Sequence, residues 1–215
     1  MQLIGTFKNR IMRASRHEKL AAFYANYSGS MTVLDAGVSA ERDPTDHLEN
    51  YFLKQFKYAP ANYTGLGVQD LSGMEARYPG RTFVQYSGGR FPFEDKQFDW
   101  VFSNAVIEHV GDDTAQLLFL NEMLRVGRRV FFTTPNKFFP VEAHTNVVFL
   151  HWHNGLFYWW CRKTGKYVRR ENLYLLSARR LRSLLNSSSA RTYELRKNRV
   201  LGLPMTFTVV CESGR

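Results

Sequence analysis

The chain has 215 residues, of which 44% are hydrophobic and 15% aromatic. This length and apolar content predict one globular domain over residues 1–215 and exclude a disordered chain. No apolar run approaches the roughly 20 residues that cross a bilayer, and the N-terminus lacks the apolar core of a signal peptide. Cys161 and Cys211 are too few for a cysteine metal cluster and suit a reducing compartment. We therefore expect a cytoplasmic protein.

The net charge of +10 is concentrated late in the chain. Arg162 to Arg199 contain twelve basic residues and two acidic ones, so the rest of the chain is neutral in sum. A cationic flank beside a neutral body predicts an anionic partner for one face, which could be a phosphate, a membrane surface or a nucleic acid. The alternative is a solvated face that serves solubility alone.

Helices and strands are predicted to alternate from the N-terminus onward. Phe7 to Tyr27 show a basic amphipathic pattern at helical spacing, within a predicted N-terminal helical segment over residues 1–30. A short apolar run at 31–37, stopped by an acid and a glycine, predicts a buried first strand. The next predicted elements are a helix at 47–56, a strand at 62–68, a helix at 71–78, and strands at 82–86 and 98–103.

The second half repeats this alternation with one interruption. Asp112 or Asp113 is predicted to cap a helix, which a fifth strand at 129–134 follows. Residues 138–170 are rich in histidine, tryptophan and tyrosine, and are predicted to form an insertion or cap. Ser177 is predicted to cap the last helix, and runs at 192–201 and 205–211 predict an antiparallel hairpin. The pattern predicts an α/β fold with a doubly wound, mostly parallel seven-stranded sheet that ends in this hairpin.

Small and polar residues follow the predicted strands, at the edge where an open α/β sheet binds its ligands. The first strand leads into residues 35–39, the second into 68–70, the third into 87–89 and the fourth into 103–109. Glycines let a backbone approach a ligand closely, and Asp70 can accept hydrogen bonds from ribose hydroxyls. Asp35 and Gly37 alone would fit a simple strand stop with its turn.

Two phrases resemble a known family. Pro92 to Val101 lead into the fourth strand, and Asn121 to Gly127 end the following helix. Both resemble the class I S-adenosylmethionine-dependent methyltransferases, in the branch of methyltransferase type 11. The resemblance runs from about Thr32 to Asn136 and extends more weakly to the last hairpin. It implies a Rossmann-like sheet, S-adenosylmethionine as cofactor and methyl transfer as the reaction.

The resemblance also implies which residues border the cofactor. They are Asp35, Gly37, Val38 and Ser39 at its methionine end, Gln69 and Asp70 at its ribose, Ser87, Gly88 and Gly89 at its adenine, and Ser103, Asn104 and Ala105 at its sulfonium face. The first motif departs from the family, because Ser39 and Glu41 stand where relatives usually have glycines. An acid is also usual where this chain has Ser87. Side chains in the first loop imply either a rebuilt loop or weaker cofactor binding.

Two histidines are candidates for a general base by residue type and location. A base assists methyl transfer only when the acceptor is a hydroxyl, since positioning supplies most of the catalysis. His144 is expected over the transferring methyl group, in the loop after the fifth strand, and His109 is the second candidate. His109 could instead cap or pack at the start of a helix. No metal is expected, because the spacing of Glu142, His144, His151 and His153 fits no compact ligand set.

The leading expectation is O-methylation, less readily N-methylation, of an anionic small-molecule, glycan or lipid-linked acceptor under residues 138–170. A peripheral membrane contact would accompany a lipid-linked acceptor. RNA is disfavoured, because the basic residues lack interleaved aromatic residues in a stripe. The alternatives are a catalytically inactive binding module, signalled by Ser39 and Glu41, and an RNA methyltransferase. A nicotinamide-dependent oxidoreductase would need a Gly-x-Gly-x-x-Gly turn after the first strand.

Overall fold

The computed structural model describes residues 2–41 and 49–214. Seven strands form one sheet in the order β3-β2-β1-β4-β5-β7-β6. The strands are β1 (Val33–Ala36), β2 (Tyr63–Gly67), β3 (Thr82–Gln85), β4 (Phe98–Asn104), β5 (Gly127–Pro135), β6 (Ala190–Val200) and β7 (Leu203–Ser213). The first five are parallel, whereas β7 runs antiparallel to both β5 and β6. The predicted fold class, including the C-terminal hairpin, is confirmed.

Six helices connect or flank these strands within the described residues. They are α1 (Gln2–Tyr24), α2 (Tyr51–Gln55), α3 (Met74–Arg77), α4 (Asp113–Val126), α5 (Asn154–Lys163) and α6 (Ala178–Ser187). Both predicted caps are present: the Asp112 carboxylate accepts from two backbone N–H groups of α4, and the Ser177 hydroxyl accepts from the Arg180 N–H. Helices α2 and α3 are shorter than predicted, and residues 47–48 of the predicted second helix lie outside the described residues.

Apolar side chains cover both faces of the sheet, as a parallel sheet requires. On one face, Phe23 of α1 packs edge-on against Trp100, Phe102 and Phe131, with ring centroids 5.2–5.5 Å apart. On the other face, α4 and α6 bury leucines such as Leu120 against the strands. Complete burial of an aromatic side chain contributes about 2–3 kcal/mol, so these contacts hold the helices firmly on the sheet. None of the described helices combines the length and apolar character needed to cross a bilayer.

The two phrases that carry the family resemblance meet through one arginine. Arg125, near the end of α4, donates to the carboxylates of Glu122 and Asp95 and to the carbonyl oxygens of Phe91 and Phe93. A guanidinium with five donors in a fixed fork can satisfy all of these acceptors at once. Arg125 therefore ties the turn that leads into β4 to the end of α4.

Candidate functional site

A cavity of about 530 Å³ opens at the carboxyl ends of β1, β2 and β4, where the strand order reverses. This volume lies within the range of small-molecule sites. The predicted site residues that line the cavity are Gly37, Val38, Ser39, Gln69, Gly88, Gly89, Ala105 and His109. Lining residues that the sequence did not single out include Gly67, Val68, Tyr86, Val106, Leu118 and Phe119.

Two glycines allow the backbone to close tightly around one side of this cavity. Gly37 has φ +119°, and a Cβ added there would lie 2.2 Å from Cγ2 of Val106. A Cβ on Gly67 would lie 2.1 Å from the carbonyl oxygen of Val38. Real Cβ atoms do not approach so closely, so both positions require glycine. Glycine at these two positions therefore lets the loop after β1 pack closely against Val106 and the end of β2.

The first loop (residues 37–41) carries a serine where the family usually has glycine, and the structure ties that serine to the chain beyond it. The Ser39 N–H donates to Oδ1 of Asn50 at 3.0 Å, and the Asn50 amide donates back to the Ser39 carbonyl at 2.9 Å. The Ser39 hydroxyl donates to Glu49 at 2.5 Å. Ala40 N–H donates to the Gln69 side chain at 3.0 Å. The loop is thus rebuilt around polar partners.

Glu41 anchors the end of this loop. It adopts φ 47°, and its buried carboxylate lies 3.1 Å from Lys54 and 3.2 Å from Arg77, while the Tyr78 hydroxyl donates to it at 2.9 Å. Burial by itself would raise the pKa of Glu41, but the hydrogen bonds from Lys54, Tyr78 and Arg77 outweigh burial and lower the pKa below its ordinary value. The second departure from the family pattern is therefore a charged anchor for the loop.

Three predicted site residues have side chains engaged inside the sheet and do not line the cavity. Asp35 accepts from the Tyr63 hydroxyl at 2.6 Å, and burial raises its pKa to about 7 although this hydrogen bond lowers it. The Ser103 hydroxyl donates to the Ala36 carbonyl at 2.8 Å. Asn104 accepts from the Thr133 hydroxyl at 2.7 Å. These contacts brace neighbouring strands, and the roles that the resemblance implies for the three residues stay predictions.

Asp70 and Ser87 are exposed near the cavity, although neither lines it. Asp70 accepts from the Ser72 N–H at 3.0 Å, and hydrogen bonds from Ser72 lower its pKa. Val68 and Gln69 stand between the end of β2 and Asp70, so the carboxylate belongs to the third residue after the strand. Its predicted contact with a ribose therefore depends on the path of this loop and stays a prediction.

The two predicted histidines meet at the edge of the cavity. His109, which follows β4, and His144, from the segment after β5, have their Nε2 atoms 3.1 Å apart and their rings nearly perpendicular. His109 Nδ1 lies 2.8 Å from the carbonyl oxygen of Asn172, and His144 Nδ1 lies 2.6 Å from a carboxylate oxygen of Glu142. A carbonyl oxygen accepts only, so His109 Nδ1 donates there.

Glu142 is held as an anion beside His144. Burial opposes its charge, but hydrogen bonds from the His144 ring, the Thr145 hydroxyl and the backbone N–H of His144 lower its pKa to about 2. The carboxylate therefore only accepts, and His144 Nδ1 must carry a proton. With both Nδ1 atoms protonated, the two facing Nε2 atoms form a hydrogen bond only when they share one further proton. The cluster thus places two imidazole Nε2 atoms face to face beside a buried carboxylate.

Glu108 lies beside this histidine pair and is completely buried. The Thr134 hydroxyl donates to its Oε2 at 3.0 Å, while its Oε1 has no hydrogen-bond partner among the described residues. Burial raises the pKa of Glu108, against the lowering effect of His109 and His144. Ligand atoms of Glu108, His109 and His144 lie within 4.8 Å of one another, a spacing that could admit a cation and that the sequence could not reveal. His151 instead donates to the Phe139 carbonyl.

Comparison with known proteins agrees with the observed fold. Residues 50–130 match the family model described as "Methyltransferase domain". A search of curated proteins gave no significant match. A structure of S-adenosylmethionine-dependent methyltransferases from Methanosarcina mazei superposes with a TM-score of 0.59 at 14% identity, covering 89% of this chain and 96% of that one.

Two further structures resemble the chain to a similar degree. The 1,6-didemethyltoxoflavin-N1-methyltransferase of Burkholderia thailandensis, with bound 1,6-didemethyltoxoflavin and S-adenosylhomocysteine, gives a TM-score of 0.58 at 16% identity, with coverage of 92% and 77%. A SAM-dependent methyltransferase of Aquifex aeolicus gives a TM-score of 0.51 at 16% identity, covering 92% of this chain and 89% of that one. At such identities the structures establish the fold. The chain therefore has the fold of the class I S-adenosylmethionine-dependent methyltransferases, and its residues 50–130 match the methyltransferase domain family.

Proposed function

We propose that the protein methylates a hydroxyl oxygen of an anionic small-molecule, glycan or lipid-linked acceptor, in the cytoplasm. The acceptor is held beneath the cap, by which we mean residues 138–170. The observation that carries the proposal is the chain of contacts from Glu142 through His144 to His109, which ends at the cavity wall. A transfer to oxygen needs somewhere for the hydroxyl proton to go, and this chain of groups would take it.

The cavity fits the cofactor that the family uses. Gly37 and Gly67 let neighbouring segments pack closely at the cavity wall, and the volume of about 530 Å³ suits a ligand of this size. We propose that the amino-acid and ribose parts of the cofactor are held by Gly37, Val38, Ser39 and Gln69. Its adenine base would lie against Gly88 and Gly89. When bound, S-adenosylmethionine supplies an electrophilic methyl group on a sulfonium.

The histidine pair acts as the base in this proposal. In the neutral pair, the Nε2 lone pairs of His109 and His144 face each other, and the acceptor's proton enters between them. The hydrogen bond of 3.1 Å then joins one imidazolium to one imidazole. Glu142 balances the new positive charge and, with Asn172, keeps both rings in the tautomer that leaves Nε2 available.

The altered first motif argues less for an inactive module than the sequence suggests. Ser39 and Glu41 direct their polar atoms toward Glu49, Lys54 and Arg77, so their side chains are satisfied without filling the cavity. The loop keeps Gly37 at the one place where a side chain would collide. These contacts favour a competent cofactor site with an unusual anchor.

The cytoplasmic location and the anionic acceptor have their own support. Cys161 and Cys211 are both buried free thiols, which suits a reducing compartment. Arg162, Lys163 and Lys166 are exposed cations of the cap, the segment that also carries His144. Positive charge near a site raises the local concentration of anionic ligands.

The test is a methyl-transfer assay with methyl-labelled S-adenosylmethionine on fractionated lipid, glycan and RNA extracts. We expect label in the lipid or glycan fraction, as a methyl ether that resists mild alkali. Activity should persist in the presence of a chelator. Label confined to RNA, an alkali-labile ester, or activity that disappears on chelation would contradict hydroxyl methylation by the histidine pair, the last pointing to a cation at Glu108, His109 and His144.

A further inference from the structure

The outward side of the cap carries an unusual concentration of exposed apolar side chains. Twelve large hydrophobic side chains are exposed among the described residues, and seven of them belong to the cap. These seven are Phe138, Val141, Val148, Phe149, Leu156, Trp159 and Tyr167. Single exposed apolar residues are ordinary, but their concentration in one segment marks an interaction surface.

Helix α5 shows how this surface is built. Phe157 and Cys161, four residues apart, are buried and hold the helix against the protein. Leu156 and Trp159 lie on the opposite side, with exposures of 55% and 51%, and Lys163 lies one turn beyond Trp159 on the same side. The helix is therefore apolar on both sides, and only one of the two sides has a partner within the described residues.

The apolar surface continues into the segment that precedes α5. The ring of Trp152 contacts Phe149 at a centroid distance of 4.9 Å and Phe138 at 5.9 Å. Val141 and Val148 pair through an antiparallel bridge, which holds this segment in a fixed shape. The exposed aromatic side chains thus stand on an ordered framework at the start of the helix.

The charges of the cap have one sign. Its only acidic residue is Glu142, which is buried against His144, so the cap presents no exposed carboxylate. Its basic residues are Arg162, Lys163, Lys166, Arg169 and Arg170. Arg169 donates to nearby backbone carbonyls and Arg170 lies over a tyrosine ring. The other three are exposed, Arg162 and Lys163 in the last turn of α5 and Lys166 just beyond it.

We propose that this part of the cap docks on an anionic lipid bilayer. The docking face consists of Phe149, Leu156 and Trp159, which would enter the interface, and of Arg162, Lys163 and Lys166, which would contact lipid phosphates. A helix with tryptophan and leucine on one side and adjoining cations is the pattern of interfacial membrane helices. Aliphatic side chains such as Leu156 have no role in stacking on bases, so a bilayer suits this face better than RNA does.

Docking would also bring a lipid-linked acceptor close to the cavity. The same cap carries His144, whose ring contacts His109 at the cavity wall. A lipid-linked acceptor as the substrate class rests on the proposed function. Binding of the docking face to a bilayer does not, because it is measured without methyl transfer.

The experiment is sedimentation of the full chain with vesicles of phosphatidylcholine containing phosphatidylglycerol, compared with vesicles of phosphatidylcholine alone. We expect binding to the anionic vesicles, and weakening as salt increases. Leu156→Asp combined with Trp159→Asp should reduce the partition coefficient at least about tenfold. Replacing Arg162, Lys163 and Lys166 by glutamine should reduce it about fivefold for each cation.

Matched controls lie on the C-terminal hairpin, which has exposed residues of the same types. Leu201→Asp should leave the partition coefficient unchanged, as should Arg191→Gln combined with Lys197→Gln. Circular dichroism checks that every variant is folded. Absence of binding at low salt, or equal losses in the hairpin variants, would overturn the docking face. Tighter binding to single-stranded RNA than to anionic vesicles, insensitive to Leu156→Asp, would also overturn it.

Discussion

The first loop and the cap border the same region, but they handle their polar side chains in opposite ways. In the first loop, the side chains of Ser39 and Glu41 bind residues later in the chain: Ser39 donates to Glu49, and Glu41 pairs with Lys54 and Arg77. In the cap, Glu142 is buried so that His144 can reach His109 at the cavity wall. The polar groups of the first loop hold its backbone in place, whereas those of the cap hold the His144 ring against His109. If the proposed roles hold, substitutions in the two regions should alter cofactor binding and proton transfer separately.

The largest expected effect is a loss of cofactor affinity caused by a substitution in the first loop. In Gly37→Val, the new side chain collides with Val106 and requires an L-residue at φ +119°. Overpacking of this kind costs about 1–3 kcal/mol, so we expect S-adenosylhomocysteine affinity to fall by up to about 100-fold. Titration calorimetry measures the loss, and Gly155→Ala, whose Cβ meets no atom within 4 Å, is the control. Unchanged affinity in a folded Gly37→Val variant would place the cofactor elsewhere.

The second prediction removes the base from the cap. His144→Ala should lower turnover by about 100-fold, the usual cost of losing a general base, and leave S-adenosylhomocysteine affinity within about twofold. His153→Ala, an exposed histidine in the same cap, should retain full turnover. Glu142→Gln should lower turnover by about tenfold and alter its pH profile, because the counter-charge is lost while the ring keeps an acceptor. Equal turnover in the His144 and His153 variants would reduce the pair to a packing contact.

The sequence predicts the sheet better than it predicts the site, for a physical reason. Apolar runs bounded by turn residues mark β1 to β5, and their order follows from the alternation with helices. A strand's side chains alternate between its faces, so the resemblance could not decide whether Asp35 and Ser103 point at the cavity or at a neighbouring strand. In the structure both contact neighbouring strands.

The histidine pair shows a different limit. His109 and His144 were both identified as candidates, but 35 residues separate them and the path of the cap decides whether they meet. The partner of His109 Nδ1 is more remote still, since Asn172 lies beyond the cap. The Glu-x-His spacing of Glu142 and His144 is the one local signal for this contact, since a carboxylate two residues from a histidine can orient its ring.

The third prediction weakens the anchor of the first loop without touching the cavity. Glu41→Gln removes the negative charge that Lys54 and Arg77 share. We expect S-adenosylhomocysteine affinity to fall by about tenfold while turnover at saturating cofactor changes little, because the cap is intact. Glu75→Gln, which alters an exposed glutamate of α3, is the matched control. A variant that loses turnover at saturating cofactor would show that the two regions are coupled.

The smallest expected effect is on stability. It concerns Asp35, which lies in β1 and belongs neither to the first loop nor to the cap. Burial holds its pKa at about 7 in the folded chain, against 3.8 in the unfolded chain, so only the unfolded chain ionises between these values. The free energy of unfolding therefore falls as pH rises from about 4 to 7 and is level above that. Asp35→Asn cannot ionise and keeps an acceptor for Tyr63, so it should be more stable than the native chain at pH 8 and lose this advantage near pH 4.

The gain in stability from Asp35→Asn should be modest. Three pKa units correspond to about 4 kcal/mol, but the new amide nitrogen also needs a buried partner, so we expect only about 1 kcal/mol, or a rise of about 2–4 °C in Tm at pH 8. Thermal unfolding at both pH values measures the difference. If Asp35 also contacts the cofactor, as the resemblance implies, S-adenosylhomocysteine affinity should fall in the same variant. Unchanged affinity would leave Asp35 as a brace between β1 and β2, because its only hydrogen bond would then be the one that Tyr63 donates.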